Sequence, residues 1–173
     1  MKFKIIEMSG YPRLVQTLMG LAANINNFGI MTAENPGVKV TSAENKEFNS
    51  KLRSILKQNF PGFYQIRGQW EGIKEKPFFI PNISREDLIN LAREFNQDAA
   101  IHGAADDEGM KFSYIDASSG ETQDEKYIFQ ALHKNVDDNY SEYKGRKFMI
   151  PFFNDLLVSA KFNHDTNRGV GIE

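Results

Sequence analysis

The stretch FGIMTAENPG, residues 28–37, constrains the fold more than any other part of the chain. Its first residues are apolar at odd and even positions alike, which predicts a central strand that is covered on both faces. The strand has to end at Asn35, because the residue before a proline avoids the helical region and the following Gly37 permits a turn. The stretch therefore predicts a buried strand whose polar end carries Glu34 and Asn35.

Three helices are predicted from apolar periodicity and from capping residues. The first follows an SGYPR turn and has apolar residues at helical spacing over residues 14–25. The second begins at Thr41, which forms a capping box with Glu44, and it ends at Asn59. Its apolar stripe predicts the buried face, formed by Phe48, Leu52, Ile55 and Leu56. The third begins after Ser84.

The remaining segments are predicted to be mostly strands, separated by turn residues. The predicted elements are a first strand at residues 2–7, a hairpin of 63–70 with 76–82 around Glu71-Gly72, a second hairpin of 97–104 with 110–118, a helix over 125–134, a late strand over 146–153, and a short helix or extended segment over 154–162. Together they predict an α/β (mixed α+β) fold: a single compact domain, residues 1–162, with a central mixed sheet flanked by helices and a polar tail at residues 163–173.

Charge and composition exclude several classes of protein. The chain has no cysteine, so disulfides and thiolate metal sites are excluded and a reducing compartment is favoured. Its net charge is −2. A protein that binds nucleic acid mainly through its phosphates needs clustered cations, so nucleic acid is not the expected partner. No run approaches the roughly 18 apolar residues that a membrane span needs. We therefore expect no membrane association and a cytoplasmic location in the bacterial or host cell, with virion association as an alternative.

The motifs that hold nucleotides and metals are absent from the sequence. It has no GxxxxGK[ST] loop, no GxGxxG between strand and helix and no GxSxG elbow. Its histidines, His102, His133 and His164, lack the spacing of metal ligands. The acidic turns ADDEG and VDDNYSE do not match a calcium loop, so they are interpreted as solvated turns. No cofactor and no metal site are predicted.

The polar end of the central strand is the candidate site. Glu34 follows an apolar strand, where partial dehydration raises a carboxyl pKa into the range of a general acid or base. Thr32 and Asn35 are the neighbouring ligand-binding candidates; Asn45 or Asn49 would orient a ligand if the second helix packs beside the strand, and Arg67 would bind its anionic part. The alternatives are that Glu34 and Asn35 only terminate the strand, and that Arg67 forms a surface ion pair.

Several of these segments occur in an order and spacing that resemble a known family. They are FGIMTAENPG, then SAENKEFNSKLRSIL, YQIRGQW and PFFIPNISREDLINLAREFNQDAAIHG. The resemblance covers about residues 26–116, and it is to a family of bacterial and phage proteins known only as a domain of unknown function, numbered 3293. It implies a compact α/β domain that is often carried by phages, and it implies no catalytic residues.

The sequence favours one function and leaves a second as the alternative. The first is a non-catalytic interaction or accessory protein of phage origin that binds a host or virion protein, because the segment YSEYKGRKFMIPFF, residues 140–153, contains the aromatic and basic residues that interfaces favour. An ordinary core strand is the other interpretation of that segment. The second is a small enzyme or ligand-binding domain that acts on a nucleotide-like or other polar substrate at the end of the strand 28–34. A third, weaker alternative is nucleic-acid binding by Lys51, Arg53 and Lys57 or by Lys144, Arg146 and Lys147.

Overall fold

The structure is a computed structural model, and it describes residues 13–18, 24–34, 40–70, 73–127, 130–131, 140–143, 146–152 and 156. The helices within these residues are α1 (Arg13–Leu18), α2 (Ser42–Asn59) and α3 (Arg85–Glu94). The strands are β1 (Asn27–Met31), β2 (Tyr64–Gln65), β3 (Arg67–Trp70), β4 (Ile73–Glu75), β5 (Phe78–Pro81), β6 (Ala99–Asp106), β7 (Gly109–Asp116), β8 (Thr122–Lys126), β9 (Gln130–Ala131), β10 (Tyr140–Tyr143) and β11 (Arg146–Met149). The predicted mixture of helices and strands in one α/β domain is confirmed.

The strands form two sheets. The larger has six strands in the order β2-β5-β1-β6-β7-β8, and the smaller has five in the order β4-β3-β10-β11-β9. Every pairing between the described strands is antiparallel, where the sequence had suggested a sheet of mixed direction. Four of the nine pairings join strands that are consecutive in the chain, as in hairpins: β3 with β4, β6 with β7, β7 with β8 and β10 with β11.

Strand β1 lies at the centre of the six-stranded sheet, as predicted, between β5 and β6. Phe28 and Ile30 face a core shared with α1 and with Phe148 of the second sheet. Met31 faces the opposite side, where α2 and α3 pack through residues such as Leu52 and Leu88. Both faces of β1 are therefore buried, which explains why its sequence shows no alternation of polar and apolar residues.

The helices α2 and α3 begin at the predicted caps. The Thr41 hydroxyl accepts from the Glu44 amide and the Glu44 carboxylate accepts from the Thr41 amide, which confirms the capping box. The Ser84 hydroxyl accepts from the Asp87 amide at the start of α3. Helix α3 approaches β1 closely at Gly29, since a β-carbon there would lie 2.7 Å from a Leu88 methyl carbon.

The first predicted hairpin is present, but it bends from one sheet into the other. Its base pairs β2 with β5 in the six-stranded sheet, and its tip pairs β3 with β4 in the five-stranded sheet, in one continuous register. The chain changes sheets at Ile66 and Pro77, where the Ile66 amide donates to the Pro77 carbonyl oxygen. Pro77 has no amide to return that bond, so the ladder is weakened where the bend occurs.

The second hairpin is confirmed, and the helix predicted after it is wrong. Strands β6 and β7 pair across the acidic turn, as predicted, with Ala99 opposite Asp116 and Asp106 opposite Gly109. Within the segment 125–134, Glu125 and Lys126 belong to β8, which pairs with β7, while Gln130 and Ala131 form β9, which pairs with β11. Pairing with two existing strands outweighs a weak local helical pattern, because the energy of a strand comes largely from its neighbours.

Some predicted features lie outside the described residues. They are the strand at residues 2–7, the end of the first helix, the turn residues 71–72, Asn35, the segment 154–162 except Leu156, and the tail 163–173. The predicted late strand is confirmed over Arg146–Met149.

Candidate functional site

The backbone of Glu34 is fixed just beyond the end of β1. The Glu34 amide donates to the hydroxyl of Thr32, which is buried, over 3.0 Å. The Glu34 carbonyl oxygen accepts from Gln97 Nε2 over 3.0 Å, and the same nitrogen also donates to the Phe95 carbonyl oxygen over 3.4 Å. Two side chains that are themselves buried therefore hold the Glu34 main chain, and the Glu34 carboxyl group has no part in these bonds.

The Glu34 carboxyl group instead contacts helix α2. Asn49 Nδ2 donates to Glu34 Oε1 over 2.5 Å, so the predicted convergence of these two residues occurs. Asn49 Oδ1 is buried without a hydrogen-bond partner, and among the described residues only Oε1 of the carboxyl group accepts a hydrogen bond. A buried amide oxygen without a partner is a feature of few positions in a protein and calls for a functional or structural explanation.

The environment raises the pKa of the Glu34 carboxyl above its ordinary value. Burial is the largest cause, because it disfavours the charged form, whereas the Asn49 hydrogen bond and the positive charge of Lys76 act in the opposite direction. A carboxyl group whose pKa is raised, and whose second oxygen accepts no hydrogen bond from the described residues, is a candidate to exchange a proton with a ligand.

The other predicted site residues have different outcomes. Asn45 lies on α2 one turn before Asn49, and its main-chain N–H donates to the Thr41 carbonyl oxygen. Arg67 lies on β3 in the five-stranded sheet and is opposite Glu142 in register. No contact between described residues joins Arg67 to Glu34 or Asn49. The physical reason is that the chain leaves the six-stranded sheet at Ile66, one residue earlier.

Two other cations belong to this region, and neither was predicted for the site: the charge of Lys76 acts on Glu34, and Arg53 lies on the face of α2 that carries Asn49. Arg53 follows Asn49 by one turn of α2 and donates to Gln65 Oε1. Gln65 Nε2 donates to the Lys76 carbonyl oxygen over 3.2 Å, and the Lys76 charge acts on Glu34. The spacing of Asn45, Asn49 and Arg53 at intervals of four was the signal in the sequence that could have placed Arg53 here.

Two of the basic residues of α2, Lys51 and Arg53, lie on different sides of the helix. Lys51 Nζ lies 5.8 Å from the centre of the Phe95 ring, beside α3. The Arg53 guanidinium lies 5.8 Å from the Phe63 ring centre and 5.4 Å from that of Phe78, on the side of β2 and β5. This division weakens the basis for a nucleic-acid surface on this helix.

The described residues contain no group of three or more His, Asp or Glu side chains that could hold a metal ion. His102 Nε2 lies 3.1 Å from the Ile83 carbonyl oxygen, and burial lowers the pKa of its imidazole. Among the helices within the described residues, none is both long enough and apolar enough to cross a membrane.

The comparisons with known proteins bear on the same part of the chain. No curated protein matches the chain. Residues 31–100, a range that includes Glu34, Asn49 and Arg53, match the family described as protein of unknown function (DUF3293). Lys76 and Gln97 also lie in this range. The match confirms the resemblance found in the sequence over these residues.

Proposed function

We propose that this chain is a ligand-binding domain, or a small enzyme, that holds a polar ligand at the end of β1 and exchanges a proton with it through Glu34. The supporting observation is the pair formed by Glu34 and Asn49, in which a partly buried carboxyl group with a raised pKa lies beside a buried amide oxygen that has no partner among the described residues. Thr32 and Gln97 fix the backbone of the proposed acid or base.

The alternative, in which Glu34 only terminates the strand, accounts less well for these contacts. A terminating carboxylate would bond the backbone amides of its own turn. Here the Thr32 hydroxyl accepts from the Glu34 amide and Gln97 donates to the Glu34 carbonyl oxygen, while the carboxyl group contacts α2. A partly dehydrated carboxyl group that bonds a side chain of α2 costs stability, which is typical of functional sites.

Binding of a defined panel tests the proposal. Nucleosides, nucleotides, amino acids and sugars would be added to the full-length ¹⁵N-labelled chain while amide chemical shifts are recorded. We expect a saturable response centred on Glu34 and Asn49, and binding at least about tenfold weaker in Glu34→Gln, which cannot ionise. The matched control is Glu47→Gln, an exposed position on α2. A binder whose response lies elsewhere, or no binder in the panel, would contradict the proposal.

A second candidate is the interaction protein of phage origin that binds a host or virion protein. One observation favours it: Met149, on β11, is 42% exposed, which is unusual for a large apolar side chain in this molecule. Two of the proposed aromatic anchors, Phe148 and Phe152, are buried in the core and so are not available to a partner. This candidate therefore has weaker support than the Glu34 site.

Affinity purification with two variants tests the second candidate. We expect a partner identified by mass spectrometry to bind the full chain and to be lost after Met149→Lys or after deletion of residues 163–173. Tyr127→Lys, at the other exposed large apolar side chain, is the control. A partner retained by both variants would contradict this candidate.

A further inference from the structure

Five residues form a polar cluster around the end of β1 and the neighbouring strands, as two hydrogen-bonded groups that share one face of α2. The cluster consists of Glu34, Asn49, Arg53, Gln65 and Lys76. Asn49 donates to Glu34, Arg53 donates to Gln65, and Gln65 donates to the Lys76 carbonyl oxygen. Asn49 and Arg53 are neighbours on one face of α2, and the Lys76 charge reaches Glu34.

Arg53 is the fixed cation of this cluster. Its guanidinium packs over the rings of Phe63 and Phe78 and donates to Gln65, so its orientation is held from several sides. Among the described residues no carboxylate lies within ion-pair distance of Arg53, since the ion pair found there joins Lys111 to Glu125. A guanidinium presents five donors, and one is used within the described part of the chain.

A partly buried cation without an anionic partner is costly, and it is usually compensated by an ion pair or by a bound anion. Arginine suits oxyanions because its planar donors match two oxygens of a carboxylate or phosphate group. Lys76 is exposed, its positive charge acts on Glu34, and its main-chain oxygen accepts from the same Gln65 side chain that accepts from Arg53. The cluster thus places Lys76 near Glu34, and it places Arg53 one helical turn beyond the Asn49 that bonds Glu34.

We infer that Arg53, supported by Lys76, binds an oxyanion of the ligand, either a carboxylate or a phosphate group, while Glu34 and Asn49 contact the ligand's uncharged polar part. This inference rests on the proposed function and assigns the class of ligand: a small molecule that carries an anionic group within reach of a hydrogen-bonding group. Arg53 takes the part that the sequence had assigned to Arg67. Gln65 acts as a positioning residue for Arg53.

Titrations with simple anions test the assignment. The probes are inorganic phosphate, acetate, and the matched pair adenosine and adenosine monophosphate, each added to the full-length ¹⁵N-labelled chain. We expect phosphate or acetate to shift the Arg53 Nε–H signal saturably, and the shift to weaken with added salt. Binding in Arg53→Gln should be about tenfold weaker or worse, and it should be intermediate in Arg53→Lys, which keeps the charge but loses the planar donors.

Arg67→Gln is the matched control, because it removes an exposed arginine from the other sheet and should leave anion binding unchanged. Wild-type binding by a folded Arg53→Gln variant, or no anion response at Arg53, would overturn the inference. If neutral members of the panel bind at Glu34 while anions do not, only this inference fails and the proposed function stands. If anions bind at Arg53 and Glu34→Gln leaves every ligand unaffected, the proposed function fails instead.

Discussion

The Glu34 carboxyl group is held in a place where its charge costs stability. Its raised pKa means that the folded chain binds the proton more tightly than the unfolded chain does. The contribution of this group to stability is therefore complete below the ordinary pKa of a glutamate and is lost as the pH rises through the folded pKa. A chain would retain such a group at neutral pH more readily for function than for stability.

Glu34→Gln should consequently stabilise the protein at pH 7. The amide oxygen of glutamine can still accept from Asn49 Nδ2, and no charge is left in the partly buried position. The gain in the free energy of unfolding should be on the order of 0.5 kcal/mol, since solvent already screens part of the cost. Urea unfolding at pH 7 and pH 4 measures it, and the difference from wild type should disappear at pH 4. Glu47→Gln should show no such pattern, and a variant less stable at pH 7 would favour a purely structural role.

Asn49 should control the acidity of Glu34. Its donated hydrogen bond favours the carboxylate, so Asn49→Ala should raise the pKa of Glu34 further. The pKa can be followed through the side-chain carboxyl carbon of Glu34 by NMR titration. Asn59→Ala makes the same substitution ten residues further along α2, where the side chain bonds the Ile55 carbonyl oxygen, and should leave the Glu34 pKa unchanged. An unchanged or lowered pKa in Asn49→Ala would show that the contact is not made in solution.

At the scale of elements, the position of α2 decides whether the site forms, because this helix carries both Asn49 and Arg53. Thr41→Ala removes the hydroxyl that accepts from the Glu44 amide and leaves the first turn without its cap. We expect a loss of about 1 kcal/mol in the free energy of unfolding, measured by urea denaturation. Thr41→Ser keeps the hydroxyl and should lose far less. Equal losses in both variants would mean that the methyl group of Thr41, and not the cap, stabilises the helix.

The sequence was informative about elements with local signals and uninformative about elements defined by distant neighbours. The caps at Thr41 and Ser84 and the hairpin of β6 with β7 depend on residues close in sequence, and all were predictable. The segment 125–134 contains two short strands that pair with β7 and β11, and no local pattern specifies those partners. Tertiary pairing overrides local propensity in such segments.

At the scale of the whole molecule, the site likewise combines features with a local sequence signal and features set by distant parts of the chain. Glu34 and Asn49 were predictable as a pair because a buried strand followed by a helix brings the strand end beside the helix face. The separation of Arg67 from Glu34 was not predictable, since it depends on where the hairpin passes from one sheet to the other at Ile66 and Pro77. The change of sheet at Ile66 leaves no clear mark in the sequence, whereas the four-residue spacing of Asn49 and Arg53 does indicate that they share a face of α2.

The core that joins the two sheets gives the last prediction. The ring of Phe28 lies 4.7 Å from that of Phe79 and 5.6 Å from that of Phe112, measured between ring centres. Its tip fits over Gly103 on the neighbouring strand β6, where a β-carbon would lie 2.7 Å from Phe28 Cε2. Phe28 is fully buried among residues of both sheets, so the ring cannot move aside without disturbing them.

Gly103→Ala should therefore cost about 1–3 kcal/mol in the free energy of unfolding, and the loss should depend on the Phe28 ring. In the F28L background the outer ring atoms are absent, so G103A should cost at least about 1 kcal/mol less than it does in the wild-type background. Urea denaturation of the wild type, both single variants and the double variant gives the coupling energy directly. A coupling near zero would mean that the β-carbon is accommodated by movement of β6 itself, and that the contact between Phe28 and Gly103 does not fix how β1 and β6 pack.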